Sequence, residues 1–384
     1  MTRRTGTEPR IPAPLHVGKP NVGDLTKMYE LMQGMFDRGW LTNNGPLVIE
    51  LERRLAEYLK VRHCILTCNG TVALELAIRG VGMEGEVIVP SMTFVASAHS
   101  LQWQGIRPVF CDIDRRTYCI DPEQIERHIS EKTTGIMGVH LYGRPCDVTA
   151  IRRIADRQGL RVIYDACHAL GVSEGGTMIG NFGDCEVFSF HATKLFNTFE
   201  GGAVTTNDDE LAERLKFMRN FGFAGEDSVV YIGVNGKMPE ICAAMGLTNL
   251  DSLGAFIEVN KRNVDAYARC LDGIAGIELM PFDTREANNF QYVIIEVDEA
   301  AFGTTRDALY KALRVENILA RRYFYPGCHQ MEPYRTIYPD ASAALRNTEE
   351  FSSRVLALPT GTQVSVALIE TVCDVIRESK PGAQ

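Results

Sequence analysis

The chain has 384 residues, of which 45% are hydrophobic and 23% charged, and a formal net charge of −9. Such a length suits two lobes with separate cores, while the acidic balance argues against a nucleic-acid partner, which is bound through an excess of Lys and Arg. No apolar run approaches the roughly 20 residues that span a bilayer. The polar, Pro-containing start lacks the apolar stretch of a signal peptide, so no membrane partner and a cytoplasmic location are expected.

Residues 1–20 (MTRRTGTEPRIPAPLHVGKP) are rich in Pro and Arg and read as an N-terminal arm. Helical periodicity follows over Thr26–Arg38 and again through Glu50–Leu59. Short apolar runs then alternate with amphipathic segments: His63–Thr67, Val87–Pro90, Pro108–Cys111, Ile136–Leu141, Arg161–Tyr164, Glu186–Phe190 and Ala203–Thr206. Seven such runs separated by helices predict a large α/β domain over 21–245, with a mostly parallel seven-stranded sheet covered on both faces. The texture changes beyond it. Leu247–Leu271 reads as one long helix, Gln291–Val297 as a strand, and Thr305–Glu316 and Ser365–Glu378 as helices, which predicts a smaller α+β C-terminal domain over 246–384. The eleven cysteines are scattered, with no C-x-x-C pair, and the Cys64/Cys68 spacing has no second pair to complete a zinc site. Reduced thiols and no metal are expected.

The chemistry concentrates in VIYDACHALG (162–171) and VFSFHATKLFNTFEGG (187–202). Asp165 ends a hydrophobic strand, where open α/β sheets bind ligands; taken alone it could equally cap a helix or loop. Lys194 follows another strand end, and lysine is rarely placed beside a core without a purpose. One purpose is a Schiff base, which requires an amine freed of its proton by desolvation or a neighbouring cation. The paired Gly201–Gly202 suggests a tight turn into the next strand. Earlier, Asn69-Gly70-Thr71 joins a strand to an amphipathic helix, whose free N–H groups suit a phosphate, although the same triplet is also an ordinary N-cap. It lacks the Lys-Ser/Thr of a P-loop and the G-x-G-x-x-G of a dinucleotide site. Together these parts predict a site for pyridoxal 5'-phosphate: Gly70, Thr71 and Ser189 for the phosphate, Asp165 for the pyridine nitrogen, Lys194 for the aldehyde, and Phe94 for the flat ring.

In this order NGTVALELAI, VIVPSMTFVASA, PVFCDID, VHLYG, DACHALG and GVNGKMPEICAAMGL resemble the sugar aminotransferases of fold-type I, the DegT/StrS family, from WLTNNGP (40–46) to YFYPGCHQMEPY (323–334). The resemblance implies that Lys194 forms the Schiff base and carries the proton, that Asp165 partners the ring nitrogen, that His168 lies beside the ring oxygen, and that Phe94 stacks. It also implies that Asn235 reaches the phosphate of the neighbouring subunit's cofactor, hence a homodimer with shared active sites, and that Tyr323 and His329 lie near a nucleotide-sugar. SFHATKLFNTFEGGA is similar to relatives acting on 4-keto sugars, which implies amination of a dTDP-4-keto-6-deoxyhexose, with L-glutamate as donor. The family's usual Gly-Asp-Glu before VIVP is Glu84-Gly85-Glu86 here, and its usual acidic residue before Asp165 is Tyr164. Competing expectations are a 3-keto-sugar aminotransferase, a sugar dehydratase of the same fold (relatives of that kind carry His in place of the lysine) and a regulatory protein that binds the cofactor without turnover. Of the remaining polar residues, His191 could touch substrate or orient its loop. His140 reads as a satisfied strand-end histidine and Arg152/Arg153 as a solvated helix face, while Arg321/Arg322 precede the substrate-side segment.

Overall fold

The computed structural model describes residues 8–382. Its centre is a seven-stranded sheet in the order 63–67, 202–206, 185–189, 161–165, 133–139, 86–90, 107–111. Strand Gly202–Thr206 runs antiparallel to both neighbours; every other pairing is parallel. The central runs bury nearly every residue, because helices cover both faces. Gly202 has an ordinary backbone, contrary to the expected turn role. Its hydrogen is needed for close approach, since a Cβ there would stand 2.7 Å from the Asn69 carbonyl.

Helix Leu25–Arg38 starts at Asp24, whose side chain accepts from the Thr26 N–H, and stops at Gly39 in the left-handed region. The second helix begins at Pro46, four residues before the periodicity suggested, because proline is favoured in a first turn where its missing N–H costs nothing. Ile136–Leu141 is displaced as well: the strand is Thr133–Val139, and Leu141–Gly143 forms a tight turn with Tyr142 at φ 55°.

The smaller lobe is a three-stranded antiparallel sheet (Ile277–Leu279, Val293–Val297, Val355–Leu358) packed on helices Arg306–Val315 and Val366–Glu378. Helix Glu240–Leu271 serves both lobes: Met245 and Leu247 join the large-lobe core, Tyr267 and Leu271 the small one. The expected boundary at 245/246 thus falls within one continuous helix. Of the expected arm, residues 1–7 lie outside the described residues. The rest is anchored: Leu15–His16 pairs in parallel with Ile318–Leu319, and Ile11 and Leu15 are buried in the small-lobe core.

Candidate active site

The strand ends Thr67, Pro90, Val139, Asp165 and Ser189 converge on one edge of the sheet, the position where open α/β sheets hold ligands. There they border a cavity of about 340 Å³ lined by Gly70, Thr71, Phe94, Asp165, His168, Ser189, Lys194 and Tyr323 among others. Eight of the ten residues selected from the sequence thus come together, from five loops and two lobes.

At one end, helix Gly70–Gly80 starts against strand Cys185–Ser189. Asn69 caps it, its side chain accepting from Val72 N–H at 2.8 Å and its carbonyl from Ala73 N–H at 3.1 Å. Gly70 and Thr71 retain N–H groups with no partner inside the helix, as first-turn residues do. A Cβ at Gly70 would meet the Ser189 Cβ at 2.9 Å, so only glycine brings this helix end and the serine so close. Open N–H groups, the hydroxyls of Thr71 and Ser189 and a bare backbone are together the features that suit a phosphate. Arg219 supports this corner from behind: its buried guanidinium donates to the Leu66 carbonyl at 2.7 Å and pairs with Glu52.

Asp165 is buried and held by two donors, Ser97 Oγ–H to Oδ2 at 2.7 Å and Cys167 N–H to Oδ1 at 3.1 Å. Thr93 Oγ1 lies 2.8 Å from Ser97 Oγ and extends the chain of hydroxyls. Among the described residues no Lys, Arg or His nitrogen lies within 4.0 Å of this carboxylate, although the more distant Lys194 feels its charge, and the geometry suits a protonated ring nitrogen.

Lys194 is half-buried, with Nζ 3.3 Å from the Tyr292 hydroxyl. Burial works against its charge, but Tyr292, the Cys167 thiol and Asp165 outweigh that effect and raise its pKa above the ordinary lysine value. The surroundings therefore favour the charged form, opposite to the effect expected from desolvation. His168 behaves oppositely: burial first, then the Lys194 charge, push its pKa well below the usual imidazole range. Its Nδ1 accepts from Tyr142 N–H at 3.2 Å, so the neutral ring carries its proton on Nε2. Phe324 lies parallel to both Tyr142 and His168, with centroids at 6.1 and 5.8 Å, and meets Phe94 at 6.1 Å, completing an aromatic wall.

Two selected residues stand apart. His329 is buried beneath the site, its Nδ1 2.7 Å from Ser91 Oγ and its Nε2 3.2 Å from Glu349, and it does not line the cavity. The hydrogen bonds explain why: both ring nitrogens are occupied in joining the two lobes. Asn235 is exposed and bridges to Asn220, away from the cavity of its own chain. His140 is fully buried between Cys146 N–H and Glu186, and burial pushes its pKa down to about 3. Arg152 is an exposed partner of Asp156.

Sequence reasoning missed Tyr292, Ser97 and Phe324, and left Arg321 and Arg322 undecided. Ser97 was legible as the residue four beyond Thr93 in the same run; Tyr292 carried no local signal. Arg321 is the only arginine lining the cavity, lies 5.2 Å from the Tyr323 ring centroid, and has no carboxylate within 4.0 Å among the described residues. Arg322 instead pairs with Asp307 at 3.1 Å. Among the described residues no group of His, Cys, Asp and Glu could hold a metal, and all eleven cysteines are free.

Fold and site together define an α/β protein with a lysine amine on a cavity at the strand ends, beside the open N–H groups of a helix start. A model described as the DegT/DnrJ/EryC1/StrS aminotransferase family matches residues 26–377, and the chain belongs to that family. It is 41% identical over 368 residues to dTDP-4-amino-4,6-dideoxy-D-glucose transaminase of Shigella dysenteriae, covering 96% of this chain and 99% of that one. Among solved structures, DesI in the presence of its TDP-sugar product superposes with a TM-score of 0.94 at 45% identity, over 98% of this chain and 95% of that one. The sugar aminotransferase Spr1654 from Streptococcus pneumoniae, in its PMP form, gives 0.89 at 25% identity, over 96% and 98%. No helix among the described residues is long and apolar enough to cross a membrane.

Proposed function

We propose that this aminotransferase moves an amino group from L-glutamate to C4 of a dTDP-linked 4-keto-6-deoxyhexose, using pyridoxal 5'-phosphate, as a cytoplasmic homodimer. The observation that carries the reading is Lys194, set on a cavity between a helix end with open N–H groups and a buried carboxylate that makes no ion pair within 4.0 Å among the described residues. When bound, the cofactor supplies a carbonyl that exchanges nitrogen and a ring that withdraws electrons from the reacting carbon. Gly70, Thr71 and Ser189 would hold its phosphate; Asp165, kept in place by Ser97, would favour a protonated ring nitrogen; Phe94 would cover the ring. Neutral His168 offers its Nε2 proton to the ring oxygen. Lys194 Nζ, in its unprotonated amine form, would be the group that accepts and returns a proton beside the bound cofactor, with the Tyr292 hydroxyl at 3.3 Å keeping it aimed into the cavity.

Arg321 supports an acidic amino donor, because an arginine without a carboxylate partner on the wall suits a carboxylate in bidentate fashion. The family relatives named for dTDP-sugars and TDP-sugars support the acceptor. For the dimer, the segment 221–234 presents Phe221, Val229, Val230, Ile232 and Val234 to solvent, with Ile232 83% exposed. An apolar patch of that kind calls for a second protein surface, and a second copy seated there would bring Asn235 to a neighbouring cavity.

The test is turnover of the pure protein with 4-keto and 3-keto dTDP-sugars, with NMR of the aminated product. The expected product carries nitrogen at C4; an amine at C3, or reaction with simple keto acids alone, refutes the sugar assignment. L-glutamate should bleach the visible absorbance of the loaded protein. Mixing Asn235→Ala and Lys194→Ala subunits should restore one working site per hybrid if sites are shared.

A further inference from the structure

Leu195, directly after the reacting lysine, has both its backbone groups captured by side-chain amides from remote parts of the chain. Its N–H donates to Gln291 Oε1 at 3.1 Å, and its carbonyl accepts from Asn21 Nδ2 at 3.0 Å. Asn21 and Gln291 are both buried, so these bonds do not compete with water. The Asn21 amide is in turn fixed, whereas the Gln291 Nε2 is buried without a protein partner among the described residues. Asn21 Oδ1 accepts from Thr362 Oγ1–H at 2.9 Å and Thr362 N–H at 3.3 Å, which ties it to the small lobe. The Asn21 carbonyl accepts from Asn197 Nδ2 at 2.8 Å, and the Asn197 carbonyl from Asn249 Nδ2 at 2.8 Å on the long helix. Asn249 Oδ1 closes the loop by accepting from Gly23 N–H at 2.8 Å. On the other side, Gln291 adjoins Tyr292, whose hydroxyl touches Lys194 Nζ.

We propose that Asn21 and Gln291 are positioning residues for Lys194, and that the N-terminal segment 18–23 thereby belongs to the catalytic apparatus as a strap from the lysine loop to the small lobe. The inference rests on Lys194 being the reacting amine. A proton-carrying lysine is useful only within a narrow range of positions, and its Cα is set by the peptide that joins it to Leu195. The chain is crowded at the start of the strap as well: a Cβ on Gly18 would lie 3.0 Å from the Thr193 carbonyl. An amide suits the Asn21 position because it must donate to a carbonyl and accept from Thr362 at once. Aspartate keeps the shape and the acceptor but turns an oxygen toward the Leu195 carbonyl.

The test compares Asn21→Asp and Asn21→Ala with the native holoenzyme. Misplacing a catalytic group by about 1 Å can cost about 100-fold, so the single-turnover rate at saturating donor should fall about 10- to 100-fold while KM moves less than about two-fold. Two further readouts separate positioning from general support: the pH midpoint of the bound cofactor's absorbance should shift, and amide exchange at Leu195 and Phe196 should accelerate in the cofactor-free protein. If either Asn21 variant fails to fold, Thr362→Val, which removes only the hydroxyl bond, should change the same three quantities in the same direction. Native exchange together with a native absorbance midpoint overturns the proposal, as does a loss confined to KM. A Lys194→Ala protein with native activity would overturn the proposed function itself; an inert Lys194→Ala alongside a native-like Asn21→Asp overturns only the strap.

Discussion

Gly70→Ala sets two opposing effects against each other at one atom. In a helix, alanine is favoured over glycine by about 1 kcal/mol, so on propensity alone the change would stabilise. The structure predicts the reverse. The new Cβ would lie 2.9 Å from the Ser189 Cβ and 3.3 Å from Ser189 Oγ, and the obstacle is the base of a side chain rather than its flexible end. Carbon atoms pack best at about 3.5–4.0 Å, so helix and strand must separate by roughly half an ångström or more. Overpacking of that kind costs about 1–3 kcal/mol, which exceeds the propensity gain. Melting of the cofactor-free protein should therefore fall by a few degrees. Because the separation opens the phosphate cradle, cofactor affinity should fall about tenfold or more, equivalent to about 1.4 kcal/mol. Gly254→Ala is the internal control: it lies in helix Glu240–Leu271 with open space around the added methyl, and should raise stability by about 0.5–1 kcal/mol. A Gly70→Ala protein that melts as high as Gly254→Ala and binds pyridoxal phosphate as tightly as the native chain would refute the close-approach argument.

Asp165→Asn leaves the Ser97 and Cys167 donors with one acceptor oxygen between them and removes the charge that favours a protonated ring; amine transfer should slow about 100- to 1,000-fold in stopped-flow half-reactions, on the scale of losing one preorganised electrostatic partner. Tyr292→Phe should lower the raised Lys194 pKa. A raised value leaves less free amine at any pH below it, so labelling of Lys194 in the cofactor-free protein should climb at lower pH in the variant than in the native chain; an unmoved curve would show that the hydroxyl is electrostatically idle. Arg219→Met strands Glu52 beside the strand that feeds the phosphate cradle, and should lower stability to urea by about 3–5 kcal/mol. Ile232→Asp should shift the protein toward monomer in sedimentation equilibrium, with activity lost in parallel.

How much of the site could be read before folding depended on how far apart its parts lie in the chain. Lys194, Asp165, Gly70, Thr71 and Ser189 stand at strand ends or a helix start, and these are local features that a short apolar run and its flanking residues announce. His329 and Asn235 came from the resemblance and lie outside the cavity of this chain, the first because both its ring nitrogens are engaged between the lobes, the second because it lies on an exposed segment. Gly202 was legible as glycine but not for the right reason, since the atom it must avoid belongs to Asn69 on another strand connection.

The amino-acid sequence by itself determined the seven buried strands, the order in which they meet helices, and which loop ends carry an amine, a carboxylate and free N–H groups, because periodicity and capping act over a few residues. Only the tertiary structure decided that Tyr292 meets Lys194 from 98 residues away and that Asn21 holds Leu195 from 174 residues away. The upward pull on the lysine's pKa likewise arises there. It depends on distances between side chains that become neighbours only when the two lobes pack, and no local pattern encodes those distances.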